Sequence, residues 1–165
     1  MKRAIVAAML LALQLAGEGP ALAHEYELGA LTVVHPWSRP TAPGVPVAAG
    51  YLTIVNGGTQ ADALVGASSP RAARIELHQS SFEGGVMRMR PVARIEIPPR
   101  ATVRLGPNGL HLMMQGLAAP FTNGARVPAV LRFERAGELS VVFRVETPAE
   151  RGGPQAGPHV HGDTP

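Results

Sequence analysis

The sequence predicts an all-β domain, an antiparallel β-sandwich or Greek-key barrel, from three observations. Short runs rich in Val, Ile, Leu and Thr recur between residues 25 and 147, as expected for pleated, half-buried strands. The 165 residues include 19 Gly and 16 Pro, many of them in turn sequences between the runs. No segment of that region shows a convincing amphipathic-helix pattern. This pattern of short, regularly spaced runs is typical of sandwiches and barrels.

Eight strands are predicted along the chain. They are Tyr26–Val34, Val47–Val55, Arg74–Gln79, Val86–Ile97, Thr102–Leu105, Leu110–Gln115, Val127–Glu134 and Leu139–Glu146. Turn sequences bound them, namely Asn56-Gly57-Gly58, Gly84-Gly85, Pro98-Pro99, Pro107-Asn108-Gly109 and Asn123-Gly124. The second run ends at the first of these turns, and the double glycine separates the third run from the fourth. The fourth ends at the double proline, the fifth and sixth flank the Pro-Asn-Gly turn, and the last two follow Asn-Gly.

The first 23 residues have the pattern of a secretory signal peptide. Lys2 and Arg3 form a charged start, residues 5–15 form an apolar stretch, and Ala21-Leu22-Ala23 matches an A-x-A cleavage site. The apolar stretch is short for a helix that spans a bilayer. We therefore expect cleavage after Ala23 and a periplasmic or secreted protein, with an uncleaved membrane anchor as the alternative.

Cleavage would leave residues 24–147 as one folded domain and residues 148–165 as a tail. The tail is rich in Gly and Pro and has one branched apolar residue, Val160, so we expect it to be flexible. No other segment is long and apolar enough to span a membrane. The formal net charge of +3 is too small to indicate nucleic-acid binding, and we expect a monomer.

The absence of cysteine restricts the chemistry of the chain. It excludes disulfide scaffolds, thiol catalysis, and zinc or copper sites that depend on thiolate ligands. The carboxylates form no recognisable acid/base pair and are interpreted as solvated; they include Glu76, Glu83, Glu96, Glu134 and Glu138. Because hydrolase and nucleotide-binding motifs are also absent, we expect a binding protein and not an enzyme.

Methionine and histidine occur together at two places. The four methionines after the signal peptide form two pairs, Met87 with Met89 and Met113 with Met114. His111 lies two residues before Met113, and His78 precedes the double-glycine turn that leads to the first pair. Both groups lie on predicted strands beside turns, so soft sulfur donors and imidazoles are concentrated at these two places.

Strand alternation predicts where these side chains point. If Leu110, Leu112 and Met114 face the core, His111 and Met113 lie together on the opposite face. The same rule puts Glu76 and His78 on the face opposite Ile75 and Leu77. In the run that contains Met87 and Met89, alternation with two arginines would turn both methionines inward, unless that strand lies at the rim or has a bulge. Alternation does not choose between them.

The donor types predict a Cu(I) site. Thioether is a soft, neutral donor and imidazole is borderline, a combination that suits Cu(I), whereas zinc sites rarely use Met and Mg²⁺ or Ca²⁺ prefer oxygen. Two His and two Met supply no anionic ligand, which favours Cu(I) over Cu(II). The alternative is an adhesion or interaction module in which these side chains are structural, with Met filling the core and His in hydrogen bonds.

The spacing H-x10-M-x21-H-x-M, which runs from His78 through Met89 and His111 to Met113, resembles the periplasmic copper chaperone family PCu(A)C. Strings surrounding these positions, and residues 37–39 and 49–56, also resemble that family. The resemblance covers most of residues 31–145. It implies a cupredoxin-like β-sandwich in which the four spaced residues bind Cu(I), and in which Met87 and Met114 are packing or neighbouring residues.

The resemblance also implies a function. Family members are implicated in copper supply, so this chain would bind Cu(I) and deliver it by ligand exchange, with cytochrome c oxidase subunit II or Sco-type copper proteins as partners. The alternative with the same ligands is a tolerance or scavenging protein without a dedicated oxidase partner. Many members carry Met directly after the first His, where this chain has Gln79. We expect binding to survive this departure, because that position lies outside the four-residue spacing.

The remaining histidines suggest further sites. His159 and His161 form an H-x-H in the tail, which is either merely solvated or an auxiliary Cu(II) site, the metal that nitrogen ligands favour. Cleavage after Ala23 would expose the amino group and imidazole of His24, which together can chelate Cu(II). A histidine-brace copper oxygenase is the resulting alternative, but the sequence lacks an aromatic platform. His35, in an extended segment before proline, is interpreted as structural. Trp37 is interpreted as a core residue, with a position near the metal site as the alternative.

Overall fold

The computed structural model describes residues 25–147, so the predicted signal peptide, His24 and the predicted tail lie outside it. The strands are β1 Glu25–Leu28, β2 Leu31–Ser38, β3 Val47–Asn56, β4 Asp62–Ser68, β5 Ala72–Glu83, β6 Val86–Pro91, β7 Ile95–Ile97, β8 Thr102–Leu105, β9 Leu110–Leu117, β10 Arg126–Phe133 and β11 Gly137–Val145. Within this range, no helix is long and apolar enough to cross a membrane.

The strands form one sheet that closes on itself. Its order is β1-β2-β11-β10-β4-β5-β9-β3-β8, and an additional β2–β3 pairing closes it, with β6 added to β5 and β7 to β4. The strand pairs are antiparallel except β2 and β11, which run parallel over a short stretch. The prediction of an all-β sandwich or barrel is confirmed, and this parallel pair is its one departure from a purely antiparallel arrangement.

The core lies inside the closed sheet, lined by the apolar face of each strand. In β9, Leu112 and Met114 are completely buried, as strand alternation predicts. Gly50 of β3 lets the backbone approach them closely, because a Cβ at this position would lie 2.8 Å from Met114 Cε and 3.1 Å from the Phe143 ring. The faces of β5 and β9 that carry the predicted site point away from this core.

Two predicted strands are each two strands in the structure. Tyr26–Val34 turns at Gly29, which has a φ of 60°, and this gives the β1–β2 hairpin. The predicted strand Val86–Ile97 ends after Pro91 and continues as a second strand. Its first part, β6, pairs with β5, whereas its last part, β7, pairs with β4. The strand β4 was not predicted from the sequence. It is rich in small residues and buried on both faces, so it shows neither strong β propensity nor alternation.

The β5–β6 hairpin projects from the closed sheet. Gly84 and Gly85 connect the strands with φ values of 59° and 80°, and positive φ at both central residues is the requirement of a type I′ turn. Among the described strands β6 pairs with β5 only, and all of its residues are exposed. The hairpin therefore carries Met87 and Met89 outside the packed body of the domain.

Candidate metal site

The two predicted histidine ligands are direct neighbours on adjacent strands. His78 of β5 lies opposite His111 of β9, with ring centroids 5.8 Å apart. The next pair on the same face is Glu76 opposite Met113. Because alternate residues of a strand share a face, these four side chains form one patch away from the core, which we call the His–Met patch. The alternation-based prediction for His78, His111 and Met113 is confirmed.

Met89 approaches the His–Met patch from the hairpin. It lies opposite Ser80, which shares the face of His78 two residues further along β5. Met89 and Met113 are therefore two strands and four residue positions apart, a Cα separation of about 16 Å in a flat sheet. Both sulfurs can bind the same ion only if the β5–β6 hairpin curves over the His–Met patch. The structure thus puts three of the predicted residues together and the fourth on a projecting strand.

Met87 and Met89 do not point inward as alternation alone would put them, because β6 lies at the rim, the exception that the sequence-based prediction allowed. Their exposed fractions are 42% and 57%, because no second layer of the described chain packs on either face of β6. Both lie on the hairpin face that continues from His78, with Met87 opposite Phe82 and nearer the turn. Met89 is two residues closer to the patch, which agrees with its place in the family spacing.

Each histidine of the patch uses one ring nitrogen in a hydrogen bond. Nδ1 of His111 is 3.0 Å from the carbonyl oxygen of Gly109. Nε2 of His78 is 3.0 Å from Oε2 of Glu76, and Nδ1 of His78 is buried without a hydrogen-bond partner between residues 25 and 147. His111 is only 4% exposed. A hydrogen bond to a residue of the neighbouring sequence therefore orients each ring, and among the described residues Nδ1 of His78 has no partner.

Glu76 belongs to a hydrogen-bonded network, and its interpretation as a merely solvated carboxylate is wrong. Its Oε2 also accepts a hydrogen bond of 2.9 Å from Gln115, and its Oε1 lies 3.4 Å from Arg74 Nε. The hydrogen bond from His78 lowers the pKa of the Glu76 carboxyl; partial desolvation opposes this shift and Arg74 assists it. The two-residue spacing from His78 was the sequence signal for this contact.

An aromatic pair borders the patch. The rings of Trp37 and Tyr51 are buried, with centroids 4.6 Å apart at an angle of 43°. Tyr51 shares a face of β3 with Ala49, which lies opposite Met113. The two rings lie outside the main hydrophobic cluster inside the sheet. Trp37 is therefore buried, as the core interpretation expects, and it also lies beside the patch, as the alternative expects.

His35 is the remaining histidine among the described residues, and its ion-pair partner lies outside the His–Met patch. His35 has a φ of 50° within the β2 irregularity between Val34 and Trp37, so the expected extended conformation is wrong there. Its Nε2 lies 3.4 Å from Oε2 of Glu146. His24, His159 and His161 lie outside the described residues. Between residues 25 and 147, no three His, Asp or Glu side chains are grouped so that they could hold a metal ion.

Comparison with known sequences finds lipoprotein relatives. A family model described as "Putative lipoprotein LpqE-like" matches residues 31–145. The chain is 31% identical to "Putative lipoprotein Lxx21020" of Leifsonia xyli subsp. xyli (strain CTCB07) over 106 residues, 64% of each protein. The match therefore spans less than two thirds of that relative.

Comparison with solved structures finds copper-binding domains. The copper-bound PCuAC domain from PmoF2 is 28% identical, with a TM-score of 0.66, and the match covers 76% of this chain and 99% of that domain. The apo PCuAC domain from PmoF1 is 27% identical, with the same TM-score, and is covered completely. The Cu(I) form of DR1885 from Deinococcus radiodurans is 28% identical, with a TM-score of 0.58, and 83% of it is covered.

Proposed function

The chain belongs to the LpqE-like family and has PCuAC domains as structural relatives, and from this we propose that it is a copper chaperone. It binds Cu(I) through His78, Met89, His111 and Met113 and passes the ion on by ligand exchange. The observation that carries the proposal is the pairing of His78 with His111 on one face, beside Met113. The copper in the related PCuAC domain from PmoF2 supports the choice of metal.

The ligand types suit a carrier that must also release its ion. Two imidazoles and two thioethers are neutral, so they match the low charge and soft character of Cu(I). The ionised Glu76 lies beside His78 and offsets positive charge at the patch without supplying a ligand. No bond in a substrate has to be made or broken, so the chain acts by binding and transfer.

Release begins at Met89 in this proposal. Met89 is the most exposed of the four ligands and lies on a strand with one neighbour among the described strands, so an acceptor reaches it first. The hairpin face next to it carries Phe82, which is 71% exposed, and Met87. We propose that this apolar face contacts the acceptor, the copper-accepting domain of cytochrome c oxidase subunit II. Its continuity with the His–Met patch would bring acceptor ligands to the copper.

A transfer assay tests delivery. In Phe82→Ser we expect Cu(I) affinity to stay within about twofold of wild type, while transfer to the isolated copper-accepting domain of subunit II slows by roughly tenfold, the effect of losing one interface anchor. Absorption of the loaded acceptor measures the rate. Val65→Ser, which alters an exposed valine on β4, is the control. If wild-type protein binds Cu(I) but never loads the acceptor, the tolerance or scavenging alternative replaces delivery to the oxidase.

Acid weakens Cu(I) binding. Only neutral imidazole coordinates, so protons compete with copper for the ring nitrogens of His78 and His111. We expect the affinity measured at about pH 5 to be more than about tenfold below that at about pH 8, because two rings are involved. Competition with a chromophoric Cu(I) chelator at several pH values measures this fall. A pH-independent affinity would mean that thioethers alone hold the ion.

Export and a second copper site complete the proposal. The signal peptide of residues 1–23 directs the chain to the periplasm, and the lipoprotein descriptions of the relatives support an envelope location. The 165 residues hold no cysteine, so a cysteine-linked lipid is not part of the proposal.

His159 and His161 bind an auxiliary Cu(II). Deletion of residues 148–165 is then expected to remove one equivalent of bound Cu(II), measured by titration.

A further inference from the structure

We infer that Glu76 is a positioning residue that makes Nδ1 of His78, and not Nε2, the nitrogen that binds copper. The inference rests on the proposed function, since it concerns how one ligand of that site is presented. It starts from the contact of 3.0 Å between Nε2 of His78 and Oε2 of Glu76. An ionised carboxylate only accepts hydrogen bonds, so Nε2 must carry the proton. In a neutral ring, the lone pair is then on Nδ1.

The network around Glu76 keeps its carboxylate in this position. Gln115 donates to the same oxygen that accepts from His78, over 2.9 Å. Arg74 donates to Oε1 of Gln115, over 2.9 Å and 2.6 Å, and so fixes the orientation of that amide. The carboxylate is therefore held by partners on β5 and β9, and His78 receives a defined ring orientation and tautomer from it.

The unpaired nitrogen of His78 supports the same assignment. Nδ1 is buried and has no hydrogen-bond partner among the described residues. A buried polar atom without a partner costs stability, and most such atoms in proteins are satisfied. A bound ion supplies the missing partner. The orphaned atom is the one that the hydrogen bond to Glu76 leaves unprotonated, so two independent observations select the same nitrogen.

His111 is held in the opposite way. Its Nδ1 lies 3.0 Å from the carbonyl oxygen of Gly109, which can only accept, so Nδ1 carries the proton and Nε2 has the lone pair. The two histidines therefore offer different nitrogens to one ion. One is oriented by a backbone carbonyl and the other by a carboxylate, and only the second can be altered by substitution of a side chain.

Ring-nitrogen NMR on the full exported chain tests the inference. With ¹⁵N-labelled histidine, we expect copper-free His78 to show a protonated Nε2, and anaerobic Cu(I) addition to shift chiefly Nδ1. In Glu76→Ala, His78 should lose its single tautomer and the Cu(I) affinity should fall by about 10–100-fold, as for other residues that orient metal ligands. Glu76→Gln, whose amide oxygen can still accept from Nε2, should recover most of both. Glu83→Ala, on the same strand, should match wild type.

Different failures have different meanings. A Cu(I) response at Nε2 of His78, or an unchanged tautomer and affinity in Glu76→Ala, overturns the role of Glu76 while the copper chaperone stands. The absence of Cu(I) binding by wild type overturns the proposed function itself. The wild-type ring shifts need no variant, so they decide the nitrogen even if Glu76→Ala fails to fold.

Discussion

Replacing His111 by alanine is expected to lower Cu(I) affinity by at least about a hundredfold, the upper end of what loss of a ligand's supporting partner costs. His111 lies between His78 and Met113 in the patch and is almost fully buried, so neither water nor a neighbouring side chain can take its place. Met113→Ala should act in the same direction, because it removes a thioether from the same face. Competition of the exported chain, residues 24–165, with a chromophoric Cu(I) chelator measures both affinities.

The hairpin methionines supply the matched control for this prediction. Met87 and Met89 are both exposed on β6 and two residues apart. Met89→Ala should weaken Cu(I) binding, whereas Met87→Ala should leave it unchanged. Equal effects of the two would mean that the hairpin contributes no specific ligand. If binding is indifferent to His111→Ala and Met113→Ala, these side chains are structural, and the tail becomes the remaining candidate for copper.

Leu112→Ala should have the largest effect on stability near the site. Leu112 is fully buried inside the closed sheet, between two residues of the patch along β9. Truncating it removes buried methyl groups and leaves a cavity, so the free energy of unfolding should fall by about 2–5 kcal/mol. Urea denaturation of the copper-free protein measures this loss. Copper must be absent, because a ligand that binds the folded state would add its own stabilisation.

Met113→Ala, one residue further along, is the comparison. Met113 is only partly buried and points away from the core, so its truncation should cost clearly less stability than that of Leu112 while it removes copper affinity. Leu112→Ala, where it remains folded, should keep its Cu(I) affinity. A loss of stability as large for Met113 as for Leu112 would contradict the assignment of the two faces of β9.

Much of the site followed from local sequence rules. The alternation of leucine with histidine and methionine over residues 110–114 predicted which side chains point away from the core. Neighbouring residues of a strand point to opposite faces of the sheet. The same rule placed His78 on its face of β5. The residue types predicted a soft metal ion, since thioether and imidazole donors have their preference in any fold. The turn sequences predicted most strand ends, including the double glycine of the hairpin.

Other features depended on which strands lie side by side. The pairing of β5 with β9 sets His78 opposite His111 and brings Glu76 into the network with Gln115, contacts between residues more than thirty positions apart. The exposed position of Met89 follows from β6 having one described neighbour, where alternation had suggested burial. Trp37 likewise lies at the patch because β2 pairs with β3. Alternation orders side chains within one strand, whereas register and neighbours come from packing of the whole sheet, so these contacts were decided by the tertiary structure.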